Sequence, residues 1–96
     1  MGDQPMHKSI SSPVYQEFIA LLVESRKALG YSQSQLAAWL AEPQSFVSKV
    51  ESCQRRLDIV EYLLWARLLQ LDTKELIGLL AEKVAQMKLP RRRARL

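Results

Sequence analysis

Apolar residues in this 96-residue chain recur mainly at intervals of three and four. No alternating apolar/polar run is bounded by turn signals. The pattern therefore predicts helices and no strand. Phe18, Leu21, Leu22 and Ser25 share one face of a first helix over about Pro13–Leu29. Ser12 is placed to cap it, and Pro13 fits the first turn, where a missing N–H costs nothing. Gly30 ends it as a left-handed cap. A second helix, over about Gln33–Leu40, begins with the capping-box spacing Ser32…Gln35 and carries Leu36, Ala37 and Leu40 inward. After the corner Ala41-Glu42-Pro43, a third helix runs over about Gln44–Ser52. Val47 and Val50 form its inner side, and Gln44, Ser45, Ser48 and Lys49 share another, wholly polar face.

A fourth helix starts at Asp58, with Glu61 completing a capping box. It is apolar nearly all round, which predicts burial on more than one side. A fifth starts at Asp72 with the same motif, Asp72…Glu75, and reaches about Lys88. Leu76, Leu80, Val84 and Met87 make its stripe, and Pro90 stops it. The fold class is thus all-α, a five-helix bundle. Residues 1–12 read as a flexible leader, 13–89 as one domain and 90–96 as a basic tail.

Length and a 48% hydrophobic, 25% charged composition agree with one folded domain. A domain of this size has a modest core, so support from a partner subunit is an option. Net charge is +4, but the basic and acidic side chains between Pro13 and Leu89 balance. The excess sits in Arg91, Arg92, Arg93 and Arg95, a cluster suited to a polyanion such as nucleic acid or to an acidic membrane surface. No apolar run is long enough to span a bilayer, and no secretory signal precedes the first helix. The single cysteine, Cys53, excludes an internal disulfide and favours a reducing compartment. The sequence holds no metal-ligand spacing, no nucleophile–base pair and no glycine-rich phosphate loop. His7 stands alone in the leader. The chain reads as a non-enzyme with no cofactor and no metal.

Three segments carry a resemblance to a known family: Gly30-Tyr-Ser-Gln-Ser-Gln-Leu-Ala-Ala-Trp-Leu40, Pro43-Gln-Ser-Phe-Val-Ser-Lys-Val-Glu51 and Arg55-Arg-Leu-Asp58. Together they resemble the phage-repressor (Cro/cI-type, xenobiotic-response-element) helix-turn-helix family, over roughly Tyr15–Leu80. The resemblance implies a sequence-specific transcriptional regulator, a repressor that binds a two-fold related double-stranded DNA operator as a homodimer. It also implies residence with the nucleoid in the cytoplasm of a bacterium, or in a phage-infected one. Gln44, Ser45, Ser48 and Lys49 would then reach base edges in the major groove. Gln33, Ser52, Arg55 and Arg56 would contact phosphates, which set register rather than specificity. Arg26 and Glu51 would form a structural ion pair locking the third helix to the first. The arginine tail would add phosphate or minor-groove contacts, a solvated end being the alternative.

The chain departs from the family where glycine is common, at Ala41, Cys53 and Gln70. Either those turns change, or each left-handed residue costs about 1 kcal/mol. Trp39, Leu63, Leu64 and Leu68 exceed what one small core needs. A dimer interface through helices four and five accounts for them, and a fifth helix folded back over them is the alternative. An antitoxin, or another protein-interaction module using that apolar surface, is the second class of function. Cys53 reads as an unreactive thiol, with a redox switch as the alternative.

Overall fold

The computed structural model describes residues 12–88. The leader with His7, Pro90 and the tail arginines Arg91, Arg92, Arg93 and Arg95 lie outside the described residues. Within them are five helices and no strand: α1 (Pro13–Ala28), α2 (Gln33–Leu40), α3 (Gln44–Glu51), α4 (Ile59–Leu68) and α5 (Thr73–Ala85).

The helix starts follow the capping chemistry of the sequence. Ser12 accepts from the Tyr15 amide at 3.0 Å. Ser32 and Gln35 form a complete capping box, as do Asp58 and Glu61. The fifth start differs from expectation: Asp72 accepts from the Glu75 amide at 3.0 Å, but no return bond from the Glu75 side chain is made. Helix α5 also stops at Ala85, short of Lys88.

The helix ends are more unusual. After α1, Gly30 is left-handed, with its amide on Lys27 O and the Tyr31 amide on Arg26 O. This is the Schellman arrangement, which glycine favours because it has no Cβ. The same pair of bonds recurs at Ala41, Cys53 and Gln70, with φ of 58°, 61° and 60°. The turns are therefore kept, and three non-glycine residues are held in the left-handed region.

Leu36, Val47, Val50, Trp65 and Ala66 are fully excluded from solvent, and Ile19, Leu22, Ala37, Tyr62 and Leu69 nearly so. This core lies between α1, α2, α3 and one side of α4. Phe18 joins it through edge-on contacts to Tyr15 and Tyr62. The Trp65 indole N–H is the one buried side-chain polar group without a partner among the described residues.

Helix α4 corrects the expectation of burial on more than one side. Tyr62, Trp65 and Ala66 face inward, whereas Ile59 and Val60 are each 62% exposed and Leu63 and Leu64 about half exposed. Helix α5 rests on α1 rather than folding back over that outer face. Its stripe is only half used. Leu76 and Leu80 lean on the core, while Val84 and Met87 stay exposed. No helix among the described residues is long and apolar enough to cross a membrane.

Candidate nucleic-acid interface

The polar face of α3 is a consequence of how the helix is anchored. Val47 and Val50, three residues apart, are both fully buried, which fixes the helix's rotation about its axis. That rotation turns Gln44, Ser45 and Lys49 to solvent and leaves Ser48 half-buried. Pro43 precedes the helix and offers no side-chain cap, so the first amides of α3 keep no side-chain partner.

A relay of side chains, buried at its Arg26–Glu51 end and exposed at Gln44, fixes α3 against the rest of the molecule. The Arg26 guanidinium, on α1, forks onto Glu51 at the end of α3, with Nε–Oε2 at 2.6 Å and Nη2–Oε1 at 2.9 Å. Its remaining Nη1 donates to the Tyr31 carbonyl at 2.7 Å. Both side chains are under one-tenth exposed. The pair therefore has the bidentate geometry and extra bonds a desolvated pair requires. Glu51 Oε1 also accepts from Gln33 Nε2 at 2.8 Å, and Gln33 Oε1 accepts from Gln44 Nε2 at 2.6 Å. Four side chains on three helices thus form one chain of bonds. It ends at Gln44, whose carbonyl oxygen and second N–H have no partner among the described residues. The family resemblance sets Gln33 among phosphate contacts and gives no sign of its bridge between Glu51 and Gln44. The two bridges span eighteen and eleven residues, beyond any local signal.

Beyond α3 the chain turns at Ser52–Asp58. Ser52 is exposed, its hydroxyl 3.3 Å from Lys49 O. Cys53 is half-buried, and burial pushes its thiol pKa up, which keeps it protonated at neutral pH. The Leu57 amide donates to Tyr15 Oη at 3.1 Å, tying the corner to α1. Arg56 is exposed, and its side chain makes no hydrogen bond or ion pair among the described residues. Arg55 is differently placed: its guanidinium is engaged within the protein, by Glu61 and the Arg56 carbonyl. The Arg55 pKa is raised and the Glu61 pKa lowered, in each case mainly by this hydrogen-bonded pairing.

Trp39 lies on α2 and is half exposed, with its ring edge-on to Tyr31 at 4.7 Å between centroids. Among the described residues no three His, Cys, Asp or Glu side chains form a group able to hold a metal ion.

No family model matches the chain, and no curated protein matches it. A solved structure does: an XRE-family like protein from Pseudomonas syringae pv. tomato str. DC3000. It is 42% identical and superposes with a TM-score of 0.71, the match covering 80% of this chain and 94% of that one.

Proposed function

Because the chain belongs to the XRE-like family of helix-turn-helix DNA-binding regulators, we propose that it is a sequence-specific repressor acting as a homodimer on a two-fold related operator. The observation that carries this reading is the contrast across α3: Val47 and Val50 fully buried, Gln44, Ser45 and Lys49 turned outward. An α-helix held that way fits the major groove, where every base pair offers a distinct set of donors and acceptors.

In this reading Gln44 meets adenine with its carbonyl oxygen and one N–H, its other N–H being held by Gln33. Lys49 donates to guanine, and Ser45 and Ser48 complete the contact row. The start of α2 at Gln33, together with Ser52 and Arg56, grips the phosphate backbone. Arg91, Arg92, Arg93 and Arg95 add sequence-independent contacts. Operator half-sites lie about 34 Å apart, one turn of the duplex. The exposed α4 row Ile59, Val60, Leu63 and Leu64, with Ile77 on α5, is the surface that supports the dimer assignment. The same row suits a toxin-like protein partner, and an antitoxin that represses its own operon would combine both roles. Such a repressor works beside the nucleoid in the cytoplasm.

The test is selection of bound duplexes from a random library, followed by anisotropy titration of the selected and a scrambled sequence. The selected duplex is expected to bind far more tightly at moderate salt. Equal affinity for the two sinks the reading. Gln44→Ala or Lys49→Ala should each erode discrimination by about 1–3 kcal/mol. Removing the tail arginines should weaken binding to both duplexes and flatten the salt dependence. Equilibrium sedimentation of the free protein and of Leu63→Glu separates dimer from monomer.

A further inference from the structure

The corner between α3 and α4 holds a cluster that the reading above does not use. Arg55 Nη1 and Nη2 donate to Glu61 Oε1 and Oε2 at 2.7 and 3.0 Å, a two-pronged fork onto the first turn of α4. Nη1 also donates to the Arg56 carbonyl at 2.6 Å. The guanidinium carbon lies over the Phe46 ring, 4.6 Å from its centroid. Phe46 in turn lies against the fully buried Trp65 at 5.9 Å. Glu61 Oε1 is itself shared, because it accepts the Asp58 amide at 3.0 Å as part of the α4 capping box. One side chain thus joins α3, the intervening loop and α4.

Resting on the DNA-binding reading, we propose that Arg55 is a positioning residue for that interface and not a phosphate ligand: it fixes the peptide that launches Arg56 and braces Phe46 beside Ser45.

Three physical points carry the assignment. Exposed ion pairs contribute little in isolation, and side-chain exposures of 43% and 25% put this pair near the surface. This pair, however, is bidentate, in cation–π contact with Phe46 and shared with a helix cap, the geometry in which such a pair holds a shape. The pair is also close to neutral as a unit, so handing it to DNA releases few counterions, unlike Arg56, whose side chain has no acidic partner among the described residues. Finally, the bond to the Arg56 carbonyl immobilises the backbone from which the Arg56 side chain extends. Ordering that backbone before binding reduces the entropy lost when phosphate is gripped.

The experiment uses the full chain, the duplex selected from the random library and its scrambled counterpart, titrated by anisotropy over a range of salt concentrations. Arg55→Lys keeps the charge but cannot reproduce the planar fork. The double variant Arg55→Gln/Glu61→Gln removes the fork without changing net charge. Arg56→Gln is the comparison and should flatten the slope of log K against log salt by about 0.9, one phosphate's worth. Circular dichroism establishes that each variant is folded at the titration temperature.

Positioning predicts that Arg55→Lys and the double variant both bind the selected duplex several-fold more weakly, lose discrimination against the scrambled one, and keep the wild-type salt slope. Wild-type affinity in Arg55→Lys overturns the proposal, since a point charge then suffices. A slope flattened by about 0.9 in the double variant overturns it too, because a phosphate contact has then been lost. A wild-type chain that fails to discriminate between duplexes overturns the DNA reading and this assignment together; discrimination with either of the other results overturns the assignment alone. Should the double variant not fold, Arg55→Lys, with Glu61 intact, decides the matter.

Discussion

Helices α3 and α5 meet the same core with opposite degrees of commitment. Helix α3 is only eight residues long, yet both its inward valines are fully buried, and a forked ion pair and two glutamine bridges hold its ends. Helix α5 is thirteen residues long and has no buried residue. Its tethers are a half-made N-cap, an exposed Lys83–Glu17 pair at 2.9 Å and a Tyr62 hydroxyl 3.5 Å from Thr73 O. Length and periodicity therefore do not measure how firmly a helix is held. What matters is the neighbour available to bury its stripe. Under the proposed reading, the rigidity of α3 would suit it to base readout, which requires fixed donors. The last helix leaves Ile77, Leu79 and Val84 exposed.

The sharpest way to break this contrast is at its polar anchor. Glu51→Ala leaves Arg26 charged in a site where it is 7% exposed, and should cost about 3–5 kcal/mol in urea unfolding. Its α5 counterpart, Lys83→Ala, removes an exposed pair and should cost under about 1 kcal/mol. At the apolar level, Leu36→Ala should lose about 2–5 kcal/mol by transfer and cavity terms. Val84→Ala should change the isolated chain by no more than about 0.5 kcal/mol. Equal losses from Leu36 and Val84 would mean that α5 is packed against something in solution.

A smaller effect, of opposite sign, is expected where the left-handed turns carry a Cβ. Ala41→Gly relieves a cost of about 1–2 kcal/mol and gives back about 0.5–1 in chain entropy, so thermal melts should show a net gain of at most about 1.5 kcal/mol. A loss of stability there would mean that the turn is unstrained. The smallest effect is electrostatic. Arg55 lowers the Glu61 pKa below its ordinary 4.5, so the pairing stabilises the fold fully above that value and is lost as pH falls through the depressed one. Glu61→Gln should flatten that part of the stability–pH curve by under about 1 kcal/mol.

The helix starts were legible because capping is local: a hydroxyl or carboxylate and the amide three residues on lie within one turn, as at Ser32 and Asp58. The inward residues of α1 to α3 were legible from spacing. The end of α5 was not, because Val84 and Met87 continue the periodic signal into a region with nothing to pack on. Nor did the sequence reveal which side of α4 would be covered, since a helix apolar all round carries no directional mark. Among the candidate contacts, the outward setting of Gln44 followed from the two valines. The engagement of Arg55 by Phe46 and Glu61 depends on three elements meeting, and only coordinates reveal it.

The sequence by itself determined five helices, four of them with side-chain N-caps, the rotation of α3 and the polar row that faces away from Val47 and Val50. Each of these depends on residues within one or two turns of one another. Only the tertiary structure decided that Ala41, Cys53 and Gln70 adopt left-handed turns, that Gln33 links Glu51 to Gln44, that α5 settles on α1, and that the outer face of α4 stays open. Those outcomes depend on surfaces distant in sequence competing for contact, and the winner is the arrangement that buries most apolar area while leaving few polar groups unpaired.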